Sequence, residues 1–182
     1  MTPSDGEVLH FSEDPNIREF VPHVAQTAQQ PEPYVWAVAG DHLPAYWFPR
    51  QCPRGTAWVS ENTTTEDRDL VFGRASRLRV HAIEYEWLDA MRSTQLYAYR
   101  FDETAFRPFS ATTAPSYADV ATETVKPLGP AEPVGDLLAL HEAAEIELRV
   151  LPNLWPFWDA VTRSTLGYSG IRLANARPRP RP

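Results

Sequence analysis

Two short segments hold the densest polar chemistry in this sequence: Leu9-His10-Phe11-Ser12-Glu13 and Pro49-Arg50-Gln51-Cys52-Pro53-Arg54. In the second, two prolines fix φ and remove two backbone donors, so the loop is stiff. Arg50 and Arg54 stand two residues either side of Cys52, the only thiol of the chain. A guanidinium suits two-point binding of phosphate or carboxylate. Nearby positive charge also favours the thiolate. Three readings follow: an anion clamp formed by Arg50 and Arg54, a reactive Cys52, or a rigid structural loop. A nucleophilic Cys52 needs a base, for which His42 and His10 are the candidates. In the structural reading the arginines pair with the chain's own carboxylates, of which it has an excess.

His10 sits in an apolar stretch that reads as a short strand, Val8 to Phe11. Its side chain then points away from Leu9 and Phe11. Ser12 follows where an N-cap would stand, with Glu13, Asp14 and Pro15 in a first helical turn. A histidine beside a helix N-terminus makes an edge suited to an anionic ligand. A purely structural histidine is the alternative. Further on, Glu145-Ile146-Glu147-Leu148-Arg149 alternates, which places Glu145, Glu147 and Arg149 on one strand face. Two carboxylates there suit hydrogen bonding to ribose hydroxyls or stabilisation of a cationic transition state. A solvated strand face is the alternative.

Other chemistries find no motif. The histidines 10, 23, 42, 81 and 141 show no H-x-x-x-H spacing, so no metal site is expected. No G-x-S-x-G marks a serine nucleophile. Eight glycines, none at G-x-G-x-x-G spacing, give no dinucleotide fingerprint.

The elements that must position these residues are short. The chain has 182 residues, 43% of them hydrophobic, enough for a sizeable core. Eighteen prolines imply many loops. Strands are expected at 8–11, 34–39, 56–59, 78–84, 95–101, 120–128, 146–151 and 170–173. Helices are expected after Ser12, from Asp41 to Trp47, from Glu86 to Ser93, from Asp136 and from Asn153 to Ser164. Residues 61–67 and 104–118 read as loops. The fold class is α+β: a mixed, mostly antiparallel sheet of about seven short strands with about four or five short helices. One domain over residues 7–176 is expected, with flexible ends at 1–6 and 177–182. The Arg-Pro alternation of 177–182 reads as an extended, solvated arm, at most a weak hold on an anionic partner.

Net charge is −7, which disfavours general nucleic-acid binding and electrostatic attraction to anionic membranes. No apolar run spans a bilayer and no secretory signal is recognisable. A single cysteine fits a reducing cytoplasm.

The runs Leu9-His10-Phe11-Ser12-Glu13-Asp14-Pro15, Tyr46-Trp47-Phe48-Pro49-Arg50-x-Cys52-Pro53-Arg54 and Ile146-Glu147-Leu148-Arg149-Val150-x-Pro152-Asn153-Leu154-Trp155-Pro156 resemble a family of small bacterial proteins of unknown function. A remoter resemblance is to ADP-ribosyltransferase-like domains of the His–Tyr–Glu type. That resemblance implies His10 on the NAD ribose, Tyr46 (less well Tyr34) stacked on nicotinamide and Glu147 stabilising an oxocarbenium ion. Ser12, Arg50, Cys52, Arg54 and Arg149 would complete the ligand site, with NAD as the implied cofactor. Two functions are therefore expected in order: binding of, or action on, NAD or a related phosphate-containing nucleotide, then a non-catalytic module for a small anion or acidic peptide, built on Arg50 and Arg54.

Overall fold

A computed structural model describes residues 2–24, 31–73, 77–109 and 118–180. Along the chain run the strands β1 Glu7–Ser12, β2 Val35–Ala37, β3 Arg54–Trp58, β4 Arg79–Glu84, β5 Tyr97–Asp102, β6 Arg107–Pro108, β7 Asp119–Ala121, β8 Glu132–Pro133, β9 Glu147–Leu151 and β10 Gly167–Ile171. The α-helices are α1 Thr65–Phe72, α2 Leu88–Ser93, α3 Leu137–Ala143 and α4 Trp155–Thr162. The class is α+β, with the strands in three mostly antiparallel sheets rather than one. The chain divides into two compact units: Met1–Arg50 with Thr94–Gly135, and Gln51–Ser93 with Asp136–Pro182.

The described part of the first unit is built of strands and turns. Its sheets run β1-β5-β8 and β2-β7-β6, every pairing antiparallel, and a Leu9–Val38 bridge links β1 to the end of β2. Val8, Phe20, Val35, Ala37, Tyr99, Phe101, Ala121 and Val125 form its core. Phe20 meets Tyr99 and Phe101 edge-on, with centroids 5.0 and 5.1 Å away, the arrangement that the ring quadrupole favours. Arg100 on β5 ties its two neighbours together through Glu7 on β1 at 2.8 Å and Glu132 on β8 at 2.7 Å.

No helix follows Ser12, contrary to the sequence expectation. The Ser12 hydroxyl accepts the Asp14 N–H at 3.1 Å, and the Asp14 carboxylate accepts the Asn16 N–H at 2.8 Å. These side-chain turns compete with helix for the same backbone donors. The Tyr99 hydroxyl then fixes the segment, donating to the Asp14 carbonyl at 2.6 Å and accepting the Ile17 N–H at 2.9 Å.

The second unit is a four-stranded sheet, β10-β3-β4-β9, in which only β4 and β9 run parallel. One face carries Ala57, Val80, Ala82 and Leu151, and packs on Val71 and Phe72 of α1 and on Phe157 and Val161 of α4. Gly55 lets the sheet and α4 approach closely: a Cβ at this position would lie 3.1 Å from the Phe157 ring, which would have to give by a few tenths of an ångström. The opposite face carries Arg54, Thr56 and His81. Thr56 stands directly across from His81.

Side-chain acceptors stand at three of the four helix starts, those of α1, α3 and α4. Asp136 accepts the N–H groups of Leu138 and Ala139 at 2.8 and 2.9 Å, as expected from its place before an apolar run. Asn153 accepts the Trp155 N–H at 3.0 Å. The expected loop at 61–67 instead ends in a cap: Thr64 accepts the Asp67 N–H at 3.2 Å and opens α1. The expected strand 120–128 stops at Ala121, because Val125 leaves the ladder to bridge Phe20. Within the expected 104–118 loop, Arg107 and Pro108 pair with β7 as β6, and residues 110–117 lie outside the described residues.

Candidate functional site

His10 is half-buried on β1, and its ring is fixed by its surroundings. Nδ1 lies 2.7 Å from the Trp36 carbonyl oxygen. A carbonyl only accepts, so Nδ1 carries the proton and the neutral ring presents a bare Nε2. Phe20 packs edge-on at 4.7 Å between centroids. Burial pushes the His10 pKa down to about 4; the charges of Arg50 and His23 push the same way, and the bond to Trp36 opposes them. At neutral pH His10 is an uncharged acceptor at Nε2.

Within the first unit, Glu13 at the end of the first polar segment meets Arg50 at the start of the second. The Glu13 carboxylate accepts the backbone N–H of Arg50 at 2.7 Å. Arg50 sits in a turn after Pro49, exposed, and its guanidinium meets no carboxylate of this chain among the described residues. Ser12, one residue before Glu13, is buried and holds the turn described above. Tyr46 closes a 3-10 turn over Gly40–Tyr46 and is half-buried. His10, Ser12, Tyr46 and Arg50 all belong to this unit.

The remaining predicted residues lie in the second unit, on two faces of its sheet. Arg54 is 4% exposed and donates from Nη1 to the Cys52 carbonyl at 2.9 Å. It is an interior arginine, and of the two loop arginines only Arg50 is open to a ligand. Cys52 is fully buried, with Sγ 3.6 Å from the Pro53 carbonyl. Burial raises its thiol to about 12, although the charge of Arg54 opposes the shift. A protonated, enclosed thiol is a poor nucleophile.

Glu147 and Arg149 lie on the face toward α1 and α4, away from Arg54. They form a two-point ion pair, Nε to Oε1 at 2.7 Å and Nη2 to Oε2 at 3.3 Å. Arg149 Nη2 also donates to the Val71 carbonyl at 2.5 Å. Glu145 does not share their strand face: it precedes β9 in a left-handed turn, φ 55°. Arg149 borders a cavity of about 400 Å³ whose walls include Leu70, Leu151, Pro156 and Phe157.

Three buried polar groups of the second unit escape sequence reading. His141 Nδ1–H donates to the Leu137 carbonyl at 2.7 Å, and His81 Nδ1–H donates to His141 Nε2 at 3.0 Å. Burial drives both histidines neutral, and that of His81 lies well below its ordinary value. Sixty residues separate the pair, so no spacing rule could find it. Glu84, fully buried, accepts the N–H groups of Leu154 and Arg177, each at 2.9 Å. It shares a strand face with Val80 and Ala82, the side that packs on α1 and α4.

Among the described residues no cluster of three or more His, Cys, Asp or Glu side chains is placed to hold a metal ion, and no helix is long and apolar enough to cross a membrane. Comparison with curated proteins and with solved structures finds no match to this chain. Residues 9–176 match the model of DUF6886, a family of unknown function, and the chain belongs to that family.

Proposed function

We propose that the chain is a binding module for a small phosphate-bearing molecule, held at the His10–Arg50 edge of its first unit. The observation that carries this reading is Arg50: its backbone is pinned to Glu13 while its guanidinium stays exposed and unneutralised. A guanidinium so placed offers a fork to phosphate or carboxylate. His10 adds a complementary demand. Its bare Nε2 takes a hydrogen bond from a hydroxyl or N–H. An anionic group and a hydroxyl together describe a sugar phosphate or nucleotide, the class implied by the remoter resemblance.

Binding is favoured over ADP-ribosyl transfer. The carboxylate assigned to the transition state, Glu147, is already neutralised by Arg149 at two points. Arg54 drops out of the expected clamp because it is buried.

The test is titration of the full chain with ADP-ribose, followed through the His10 ring resonances and by calorimetry. Binding should shift the Nε2 signal, and Arg50→Ala should weaken it at least about tenfold, the usual scale for loss of a charge-assisted pair. Silence of the His10 signals at millimolar ADP-ribose overturns the proposal.

A further inference from the structure

The segment Arg177-Pro178-Arg179-Pro180 does not lie free in solvent. Alternating proline fixes φ and favours an extended, left-handed helix whose carbonyls point outward without internal partners. Those carbonyls are met by side chains at the start of α4. The Trp155 indole N–H donates to the Arg177 carbonyl at 2.6 Å, and Asn153 donates to the Pro178 carbonyl at 3.0 Å. The arginines are read separately. Arg179 spans both carboxylate oxygens of Asp159, 2.8 Å each, and lies 4.1 Å over the Trp155 ring. Arg177 reaches Glu86 at 3.2 Å and the Pro152 carbonyl at 3.3 Å, while its own N–H enters the buried Glu84 carboxylate.

An indole that donates to the carbonyl of a proline-rich segment, with acids that pair its arginines, is the chemistry by which aromatic grooves read such peptides. The ring face also favours arginine by cation–π attraction. The outer contacts are exposed: the Arg179 side chain keeps 55% of its surface and that of Asp159 36%. Exposed ion pairs are individually weak and exchange readily.

We propose that the Trp155–Asp159 face of α4 is a recognition surface for arginine-proline-rich segments. Residues 177–179 occupy it in cis, and an Arg-Pro-Arg-Pro segment of a partner polypeptide takes it in trans. A tethered occupant competes at an effective concentration of roughly millimolar. The trans complex therefore forms readily only where the cis segment is displaced.

The test uses a fluorescein-labelled Ala-Arg-Pro-Arg-Pro peptide and the full chain, read by anisotropy. Arg177→Ala with Arg179→Ala removes the side-chain anchors of the cis segment, leaving its backbone hydrogen bonds to Trp155, Asn153 and Glu84, and should bind the peptide several-fold more tightly than the unsubstituted chain. Adding Asp159→Asn should abolish the gain. An Ala-Lys-Pro-Lys-Pro peptide should bind several-fold more weakly, because lysine lacks the flat guanidinium that stacks on the Trp155 ring. A second measurement needs no variant: a spin-labelled Arg-Pro peptide added to the unsubstituted chain should broaden the Trp155 indole resonance. The proposal is overturned by equal binding of the lysine peptide, by binding indifferent to Asp159→Asn, or by an unbroadened indole at millimolar peptide.

Discussion

Glu13 and Arg50, 37 residues apart in sequence, are joined by a 2.7 Å hydrogen bond from the Arg50 N–H to the Glu13 carboxylate. It ties the stretch after β1 to the proline-flanked loop and holds the backbone of Arg50 while leaving its guanidinium outside. Glu13→Ala should cost about 0.5–1 kcal/mol, the net worth of one such bond. It should also weaken ADP-ribose binding several-fold by loosening the loop. Glu13→Gln keeps an acceptor and should restore most of both. Urea melts and calorimetry on the two variants check this, and identical affinity in Glu13→Ala and the parent would sink the positioning role.

The buried histidines set a pH dependence whose sign is fixed. His10 has a folded pKa of about 4 against an ordinary value of 6.5, so the fold favours its neutral form. His81 and His141 are shifted down as well, burial first in both cases. Their contribution is complete above pH 6.5 and is lost as pH falls toward the folded values. For His10 alone the loss reaches roughly 3 kcal/mol at pH 4. Urea midpoints measured from pH 7.5 to 4 should fall steadily. His10→Asn, whose amide can still donate to Trp36, should flatten part of that slope; an unchanged slope removes His10 from the account.

Cys52 should be nearly inert in the folded chain. With a thiol at about 12, the thiolate fraction at pH 8 is roughly a thousandfold below that of a free cysteine. Iodoacetamide labelling followed by mass spectrometry should show protection that urea removes. Fast labelling of the native chain at pH 8 would return Cys52 to the list of reactive groups.

Glu147 and Arg149 should behave as a structural pair. A double-mutant cycle with Glu147→Gln and Arg149→Met should give a coupling of about 0.5–1 kcal/mol, since both side chains are only partly buried. Arg149→Met alone should cost more, about 1–2 kcal/mol, because the Val71 carbonyl also loses its donor. Neither substitution should change ADP-ribose affinity. A tenfold loss of binding in Glu147→Gln would instead favour the transfer reading.

Period-two patterns and caps carried the elements that were legible in sequence. Val80 and Ala82 alternate and form β4, Leu148 and Val150 do the same in β9, and Asp136 opens α3. Reading failed where side chains took backbone groups from a distance. Residues 13–17 look like a helical turn until the Tyr99 hydroxyl, 85 positions from Asp14, claims both the Asp14 carbonyl and the Ile17 N–H. Thr64 passed as loop because the polar run around it hid an ordinary cap. The candidate site was half legible. Arg50 and His10 stand out by type and setting, and the first unit holds both. Arg54 and Glu147 stand out equally, but the burial of Arg54 is invisible to spacing, and the strand face shared by Glu147 and Arg149 did not by itself say that the two would pair. The tail is extended and exposed over residues 177–180, and its arginines also find Glu86 and Asp159, which spacing did not show.

Glu84 has a consequence beyond its two hydrogen bonds. One enclosed carboxylate holds the Leu154 amide at the entrance to α4 and the Arg177 amide at the root of the Arg-Pro segment. Any opening that frees one amide leaves the buried Glu84 side chain with only one of its two hydrogen bonds. The two places are therefore locked into one opening event. Their amides should exchange with deuterium at matched rates, and Glu84→Gln should accelerate both together.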